Sequence, residues 1–526
     1  MSTVSSRGET ASLTGLWVVL IATAFAWAPA TYPGYWQALE GFAPVFNAPY
    51  AAPIADIASQ PDLWRGSGSA TFLLTRPLIL LGISPVVAVR SVFALVFVLG
   101  SLGIYFWLRP RFGDRSAGLA GLLYALLPPL LATVYIRGSL ADALVVGLWP
   151  LTLAGLAVYV QSRSPAAIGV AVISLLWIWR SQAGLAVFVT LLALAYVLWV
   201  ERDRLALLTT GVTGLAGLLS LLPLWGVRAS SPVDFYAHFV YFFQYFAGGW
   251  QTAPSIPGWQ DGYPFQLGFA ALAFALLAVW LLWLKYRENV DLPALVVRRS
   301  LIFSLAAVVV LLLLTLGPSA FLWRSTGADR LLTWPWQVLL PGLPFLALMG
   351  GSLPALNSQL ACRGYWAALL ALVLMSSYPY LSADFTEYTP PAAPVAVYGA
   401  RGEIVLLEAT IHESNAGGYD ATLEAVWQPV QPLDFDYNLF FQALRPAANG
   451  IDYEVVAQLD QQPLTERPAT TWQPGEILTS TYTLSLPIDP ATASLRYYFG
   501  YYDWREGGGR LPLNGGPDDK AVLFGE

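Results

Sequence analysis

Residues 11–381 carry one apolar run after another, several of them 18 residues or longer. Each such run is long enough to cross a bilayer core of roughly 30 Å. From residue 395 onward the pattern changes to short alternating stretches set between polar turns. The whole chain is 56% hydrophobic and only 11% charged, well short of the ~25% charged of an ordinary soluble protein. Charge follows the same division. Residues 1–389 hold 20 basic and 15 acidic side chains, a net of +5, whereas the remainder holds 7 and 18, a net of −11. The expected fold class is a polytopic α-helical membrane protein with an all-β sandwich or jelly-roll domain at its C-terminal end. The acidic tail excludes nucleic acid as a partner, because that role needs basic stripes.

Eleven candidate spans can be drawn, at 11–29, 86–108, 116–134, 140–160, 166–180, 183–200, 205–225, 265–285, 300–317, 331–350 and 364–381. The first reads as an uncleaved span rather than a signal peptide. Twelve basic residues, among them Arg109, Arg111, Arg115, Arg163, Arg202, Arg298 and Arg363, crowd the short loops of one side. The positive-inside bias places that side and the N-terminus in the cytoplasm, and an odd number of spans then puts the tail outside. Localisation is expected in a bacterial cytoplasmic membrane, with lipid as the first partner. Long outer loops follow at 30–85, 226–264 and 318–334, rich in Pro, Gly and aromatics. The domain division is 1–387 for the membrane region, 388–399 for a Pro-rich linker and 400–526 for the β domain, whose runs (EIVLLEATI, ATLEAVW, STYTLSL) alternate between turn signals.

Chemistry-bearing residues concentrate on the outer side. In YIRGSLAD, Ser139 and Asp142 have the spacing of a helix-capping box, while Arg137 beside a helix N-terminus suits an anion such as a phosphate. Arg180, Arg228, Arg324 and Arg330 end spans on the same side. Such arginines snorkel, pair with an acid or hold an anion. The outer acids are Glu40, Asp56 and Asp62 in the first loop, then Asp234, Asp261 and Asp329; each reads first as a loop or capping acid and second as a general base. DFYAHFVYFFQYFAGGWQ (234–251) reads as an interfacial amphipathic helix, with His238 inside an aromatic belt. A single cysteine, Cys362, and two histidines, His238 and His412, give no metal-site pattern. Walker A, zincin and G-x-S-x-G motifs are absent from the sequence.

YIRG-S-x-A-D before a span, GYPFQLG at 262–268 and RLLTWPWQVLLP near the penultimate span give the region 11–381 a family likeness. It resembles bacterial membrane proteins labelled 6-pyruvoyl-tetrahydropterin synthase-related, whose membrane domains are similar to C-type (GT-C) glycosyltransferases. VAQLDQQPL, TTWQPGE and RLPL resemble the β-sandwich appended to such proteins. The resemblance implies sugar transfer from a polyprenyl-phosphate donor, a substrate rather than a cofactor, to an extracytoplasmic glycan, lipid or protein. Glu40, Asp56 or Asp62 would be the catalytic base; Arg137, Arg180, Arg324 and Arg330 would bind phosphate; Ser139, Asp142, His238 and Asp261 would support them. Such enzymes usually carry an Asp soon after the first span, where this chain reads APATYPGYWQALEG and reaches no acid before Glu40. That departure motivates the alternative, a noncatalytic membrane scaffold or subunit of a larger assembly.

Overall fold

The computed structural model describes residues 13–36, 38–50, 69–222, 233–246, 249–288, 293–391, 394–399, 402–415, 418–447, 453–505 and 509–513. Asp56, Asp62 and Arg228 lie outside the described residues. Among the described residues, seven helices are long and apolar enough to cross a membrane: Thr14–Thr31, Pro85–Phe112, Asp114–Arg137, Leu140–Ser162, Ala183–Glu201, Phe269–Glu288 and Leu295–Leu314. The chain is an integral membrane protein by this measure. Four of the expected spans are shorter than a full crossing. Pro165–Ser181 has 17 residues, Arg204–Leu219 has 16 and Arg363–Ser377 has 15. The fourth, expected at 331–350, is a 3-10 segment, Pro335–Gly342, running into the helix Leu343–Gly351. Pro341 inside the 3-10 segment removes an N–H and clashes with the preceding turn, while Pro335 and Pro344 sit in first turns and favour the starts of the two pieces.

The third span is buried from Ser116 to Arg137. Pro128 and Pro129 interrupt it after Ala125, and it resumes as Pro128–Ala132 followed by a π turn, Thr133–Arg137. Small residues allow the close packing around it. A Cβ on Gly118 would lie 2.5 Å from Gly15, and one on Gly351 would lie 2.3 Å from Ala120.

Polar contacts collect at the two ends of the bundle. At one end the Gly15 N–H donates to Asp114 at 2.8 Å, Arg111 clasps Glu201 at 2.6 Å, Arg163 meets Asp203 at 2.6 Å and Trp366 donates to the Arg115 carbonyl at 3.0 Å. This is the end where the sequence places its basic loops. At the other end lie the chain after the first span, residues 233–268, the Trp334–Gln337 segment and the β domain. The described residues 234–246 and 249–251 do not form the expected amphipathic helix. They make two 3-10 turns, Phe235–Ala237 and Phe242–Tyr245, separated by a bridge from Val240 to Leu316. The exchange is possible because the Val240 N–H finds the Thr315 carbonyl at 2.9 Å, outside any helix.

Nine strands among the described residues are numbered in chain order. A two-residue ribbon pairs β1 (Tyr35–Trp36) with β2 (Phe385–Thr386). The tail holds β3 (Ala396–Tyr398), β4 (Ile404–Ser414), β5 (Tyr419–Pro429), β6 (Asn438–Pro446), β7 (Tyr453–Gln461), β8 (Leu478–Leu486) and β9 (Arg496–Tyr502). They form two antiparallel sheets, ordered β3-β4-β5-β8 and β7-β6-β9. Strict alternation along β8 turns Leu478, Ser480, Tyr482, Leu484 and Leu486 inward. Trp427 fills the core between the sheets, its ring 5.1 Å from Tyr501 and 6.0 Å from Phe499.

The tail is docked on the membrane region. The Phe42 N–H donates to the Val430 carbonyl at 2.7 Å, and the Phe42 ring stacks face to face on Tyr388, 4.0 Å between centroids. Gly41 makes the turn at φ +51°, where a Cβ would lie 2.5 Å from the Val430 oxygen. Gly41→Val should therefore strain this junction by about 1–3 kcal/mol. The expected outcome is faster cleavage of the 388–399 linker in limited proteolysis of the detergent-solubilised protein, with the helical region unchanged.

Candidate functional site

The π turn that ends the third span widens the helix by one residue at Arg137. Gly138 follows at φ +69°, a left-handed position, and a Cβ there would lie 2.5 Å from that of Ala38. The segment 38–40 can thus lie directly on this corner. The Leu39 and Glu40 N–H groups donate to the carbonyls of Ile136 and Arg137, both at 2.9 Å, and Trp36 Nε1 donates to Val134 at 2.8 Å. Glu40 is held beside Arg137 by its own backbone.

Arg137 is buried and pairs with the fully buried Asp142 through Nη1. Its Nη2 lies 3.7 Å from Glu40 Oε1, and Glu40 keeps 25% side-chain exposure. The guanidinium carbon sits 4.8 Å from the Trp334 ring and 5.5 Å from Trp336, so cation–π attraction adds to the ion pair. Gln337 Nε2 donates to Asp142 at 2.9 Å, while its Oε1 accepts from the Thr333 and Trp334 N–H groups. The capping box is therefore only half made. Ser139 Oγ accepts the Asp142 N–H at 3.5 Å, but the Asp142 carboxylate turns to Arg137 and Gln337 instead of the backbone. A buried ion pair stripped of one partner typically costs about 3–5 kcal/mol, which binds this corner to the stability of the whole helical region.

Three buried polar atoms around the pair have no protein partner among the described residues: Arg137 Nε, Asp142 Oδ1 and Trp336 Nε1. Tyr263 stacks on Trp336 at 4.5 Å, and both line a cavity of about 20 Å³ with Thr133, Tyr245 and Phe265.

A second cluster stands on residues 233–268. Ser255 Oγ donates to Asp261 Oδ2 at 2.6 Å and meets His238 Nδ1 at 2.9 Å. An ionised carboxylate only accepts, so the serine proton goes to Asp261 and the serine oxygen accepts from His238. The neutral imidazole then carries its proton on Nδ1, leaving Nε2 as the basic nitrogen. Asp261 Oδ1 accepts from the Tyr263 N–H at 2.9 Å, linking this chain to the aromatic wall above Arg137.

The structure thus brings together Glu40, Arg137, Ser139 and Asp142, and separately joins His238 to Asp261. Arg324 is placed elsewhere, 4.5 Å above the Tyr236 ring. Arg330 is exposed on the turn Ala328–Arg330, and Arg180 is half-buried at the end of its helix. Sequence reasoning missed Gln337 and Ser255. Gln337 did leave a signal, as the one amide side chain within TWPWQVLLP.

Compared by sequence, the chain matches no family model and no curated protein. The resemblance to 6-pyruvoyl-tetrahydropterin synthase-related proteins therefore gains no support. Among solved structures, the chain is similar to the crystal structure of the Archaeoglobus fulgidus oligosaccharyltransferase in complex with zinc and sulfate. The identity is 18% and the TM-score 0.35, over 70% of this chain and 54% of that one. The chain spans about half the length of that enzyme. A likeness of this depth assigns neither substrate nor residues.

Burial pushes His238 below its ordinary value of 6.5, against the opposing pull of Asp261 and Asp234. As pH falls from 6.5, the unfolded chain takes up a proton at this residue before the folded one does. Stability therefore declines across that interval and levels off below the folded value. Burial pushes Asp261 the other way, above 3.8, so its own contribution runs oppositely at more acidic pH. His238→Gln should remove the decline that begins near pH 6.5, read as thermal midpoints of wild type and variant between pH 5 and 8.

Proposed function

We propose that the protein is a GT-C-like membrane glycosyltransferase that moves a sugar from a polyprenyl-phosphate donor to an extracytoplasmic glycan, lipid or protein. The observation that carries the reading is the partly exposed Glu40 carboxylate, fixed beside a buried arginine whose Nε–H, like the nearby Trp336 Nε1–H, has no protein partner among the described residues. Those unused donors suit phosphate oxygens, and the carboxylate suits a proton acceptor. In the reaction the acceptor hydroxyl oxygen attacks the anomeric carbon while the bond from that carbon to the donor phosphate breaks. The electron pair leaves with the phosphate, and the hydroxyl proton passes to Glu40. Aromatic faces at Trp334, Trp336 and Tyr263 supply apolar walls for a sugar ring.

Arg180, Arg324 and Arg330 belong to this reading as further holds on an anionic lipid at the same end of the bundle. Asp56 and Asp62 remain alternative bases, with Ser139, Asp142, His238 and Asp261 in support. The basic loops at the opposite end support a cytoplasmic N-terminus and an extracytoplasmic β domain. Single cysteines introduced at Ser414 in the tail and at Arg163, each with Cys362→Ser, should label in opposite manner. The first should react with an impermeant maleimide on intact cells, the second only after permeabilisation; the reverse pattern would invert the topology.

The second reading, a noncatalytic scaffold, draws on the 20 Å³ cavity, which holds about one water molecule, and on the Asp missing after the first span. Transfer of labelled sugar from a polyprenyl-phosphate donor separates the two. Glu40→Gln should lower the rate by about 10²–10⁴-fold while the thermal midpoint stays near that of wild type. Wild-type protein that binds the donor lipid and transfers nothing would favour the scaffold.

A further inference from the structure

One edge of the Arg137 guanidinium is incompletely used. Nη1 on the far side belongs to Asp142. Nε–H and one Nη2–H point the same way along the other edge, the geometry that grips two oxygens of a single oxyanion. On that edge Nε has no protein partner among the described residues, and Nη2 lies 3.7 Å from Glu40 Oε1. The distance is too long for a hydrogen bond and short enough for strong Coulomb attraction.

Charge then decides what the edge can hold. Arg137 and Asp142 cancel, so Glu40 already leaves the cluster at a net −1. A phosphate arriving while Glu40 stayed in place would put two anions within a few ångströms in a largely buried corner, where repulsion is severe. One oxyanion fits the edge, not two.

We infer that the Nε/Nη2 edge of Arg137 is exchanged between Glu40 and the phosphate of an incoming ligand, so that phosphate binding displaces the Glu40 carboxylate from the arginine. This rests on the phosphate-site reading above and adds its order of events. A carboxylate separated from a guanidinium is the stronger proton acceptor. The group that would take the acceptor's proton thus becomes competent only when the donor is bound. Glu40 sits on a backbone fixed by Leu39 and Glu40 N–H bonds to Ile136 and Arg137. Only its side chain has to turn.

The exchange makes an unusual demand: removing the charge of Glu40 must improve phosphate binding. The test measures the affinity of farnesyl phosphate, inorganic phosphate and farnesol for the full chain in nanodiscs, at fixed pH and ionic strength. Four forms are compared: wild type, Glu40→Gln, Arg137→Lys and the double variant. Arg137→Lys keeps a cation for Asp142 and deletes the two-donor edge. Glu40→Gln should bind farnesyl phosphate roughly tenfold more tightly than wild type, and the gain should vanish in the Arg137→Lys background. A gain shared by inorganic phosphate identifies the phosphate alone as the exchanging group; a gain confined to farnesyl phosphate identifies a lipid headgroup. Unchanged or weaker binding by Glu40→Gln overturns the inference, as does a gain that survives Arg137→Lys or extends to farnesol. Because the readout is binding, absence of sugar transfer would sink the transferase reading and leave the exchange standing.

Discussion

The buried pairing of Arg137 with Asp142 is the interaction on which one end of the helical bundle depends. Neither charge is tolerable alone at that depth, so every neighbouring element is arranged around their union. The π turn aims Arg137 inward, the N-terminus of Leu140–Ser162 presents Asp142, and the proline-broken segment delivers Gln337 to the second face of the carboxylate. Trp334 and Trp336 cover the guanidinium with aromatic faces. The segment carrying Glu40 is laid over the result by main-chain hydrogen bonds, and the β domain is in turn anchored to that segment through Phe42. A charge pair within the membrane region thereby governs the placement of a domain outside it.

Much of this was legible in the sequence, for identifiable reasons. Hydropathy alone locates the helices, since an apolar run of 20 residues has few other uses. It fails on length where prolines intervene, as at 331–350, because Pro335 and Pro341 do not reduce the apolarity of the stretch. Alternation with turn signals locates the strands β4, β5 and β8. Arg137, Ser139 and Asp142 are adjacent in sequence, so their relation could be read. The partners that decide Asp142's role could not. Gln337 is 195 residues away, and without it Asp142 looks like an ordinary helix cap.

His238 teaches the same lesson at shorter range. Its partner Ser255 lies 17 residues on, across a stretch whose aromatic content suggested an amphipathic helix. In a helix those side chains would point in fixed directions along one axis. The observed pair of 3-10 turns folds the segment back on itself, and only then do His238, Ser255 and Asp261 meet. Exposed Phe242, Phe243 and Phe246 remain where an interfacial segment would have them; the apolarity was read correctly and the periodicity was not.

The smallest sheet has the largest reach. β1 and β2 contribute two residues each, yet they join positions roughly 350 apart in the chain, a closure whose entropic cost grows only slowly with loop length. Tyr35 and Trp36 are synthesised early and emerge with the first span, but their partners Phe385 and Thr386 arrive after the last. The corner that seats Glu40 is therefore completed by a segment that follows the last helix of the membrane region. Biogenesis acquires an order: a truncated or still-growing polypeptide has its helices in place while the residues beside Arg137 still lack their ribbon partner, and the finished site marks a chain that has been translated and threaded to the tail.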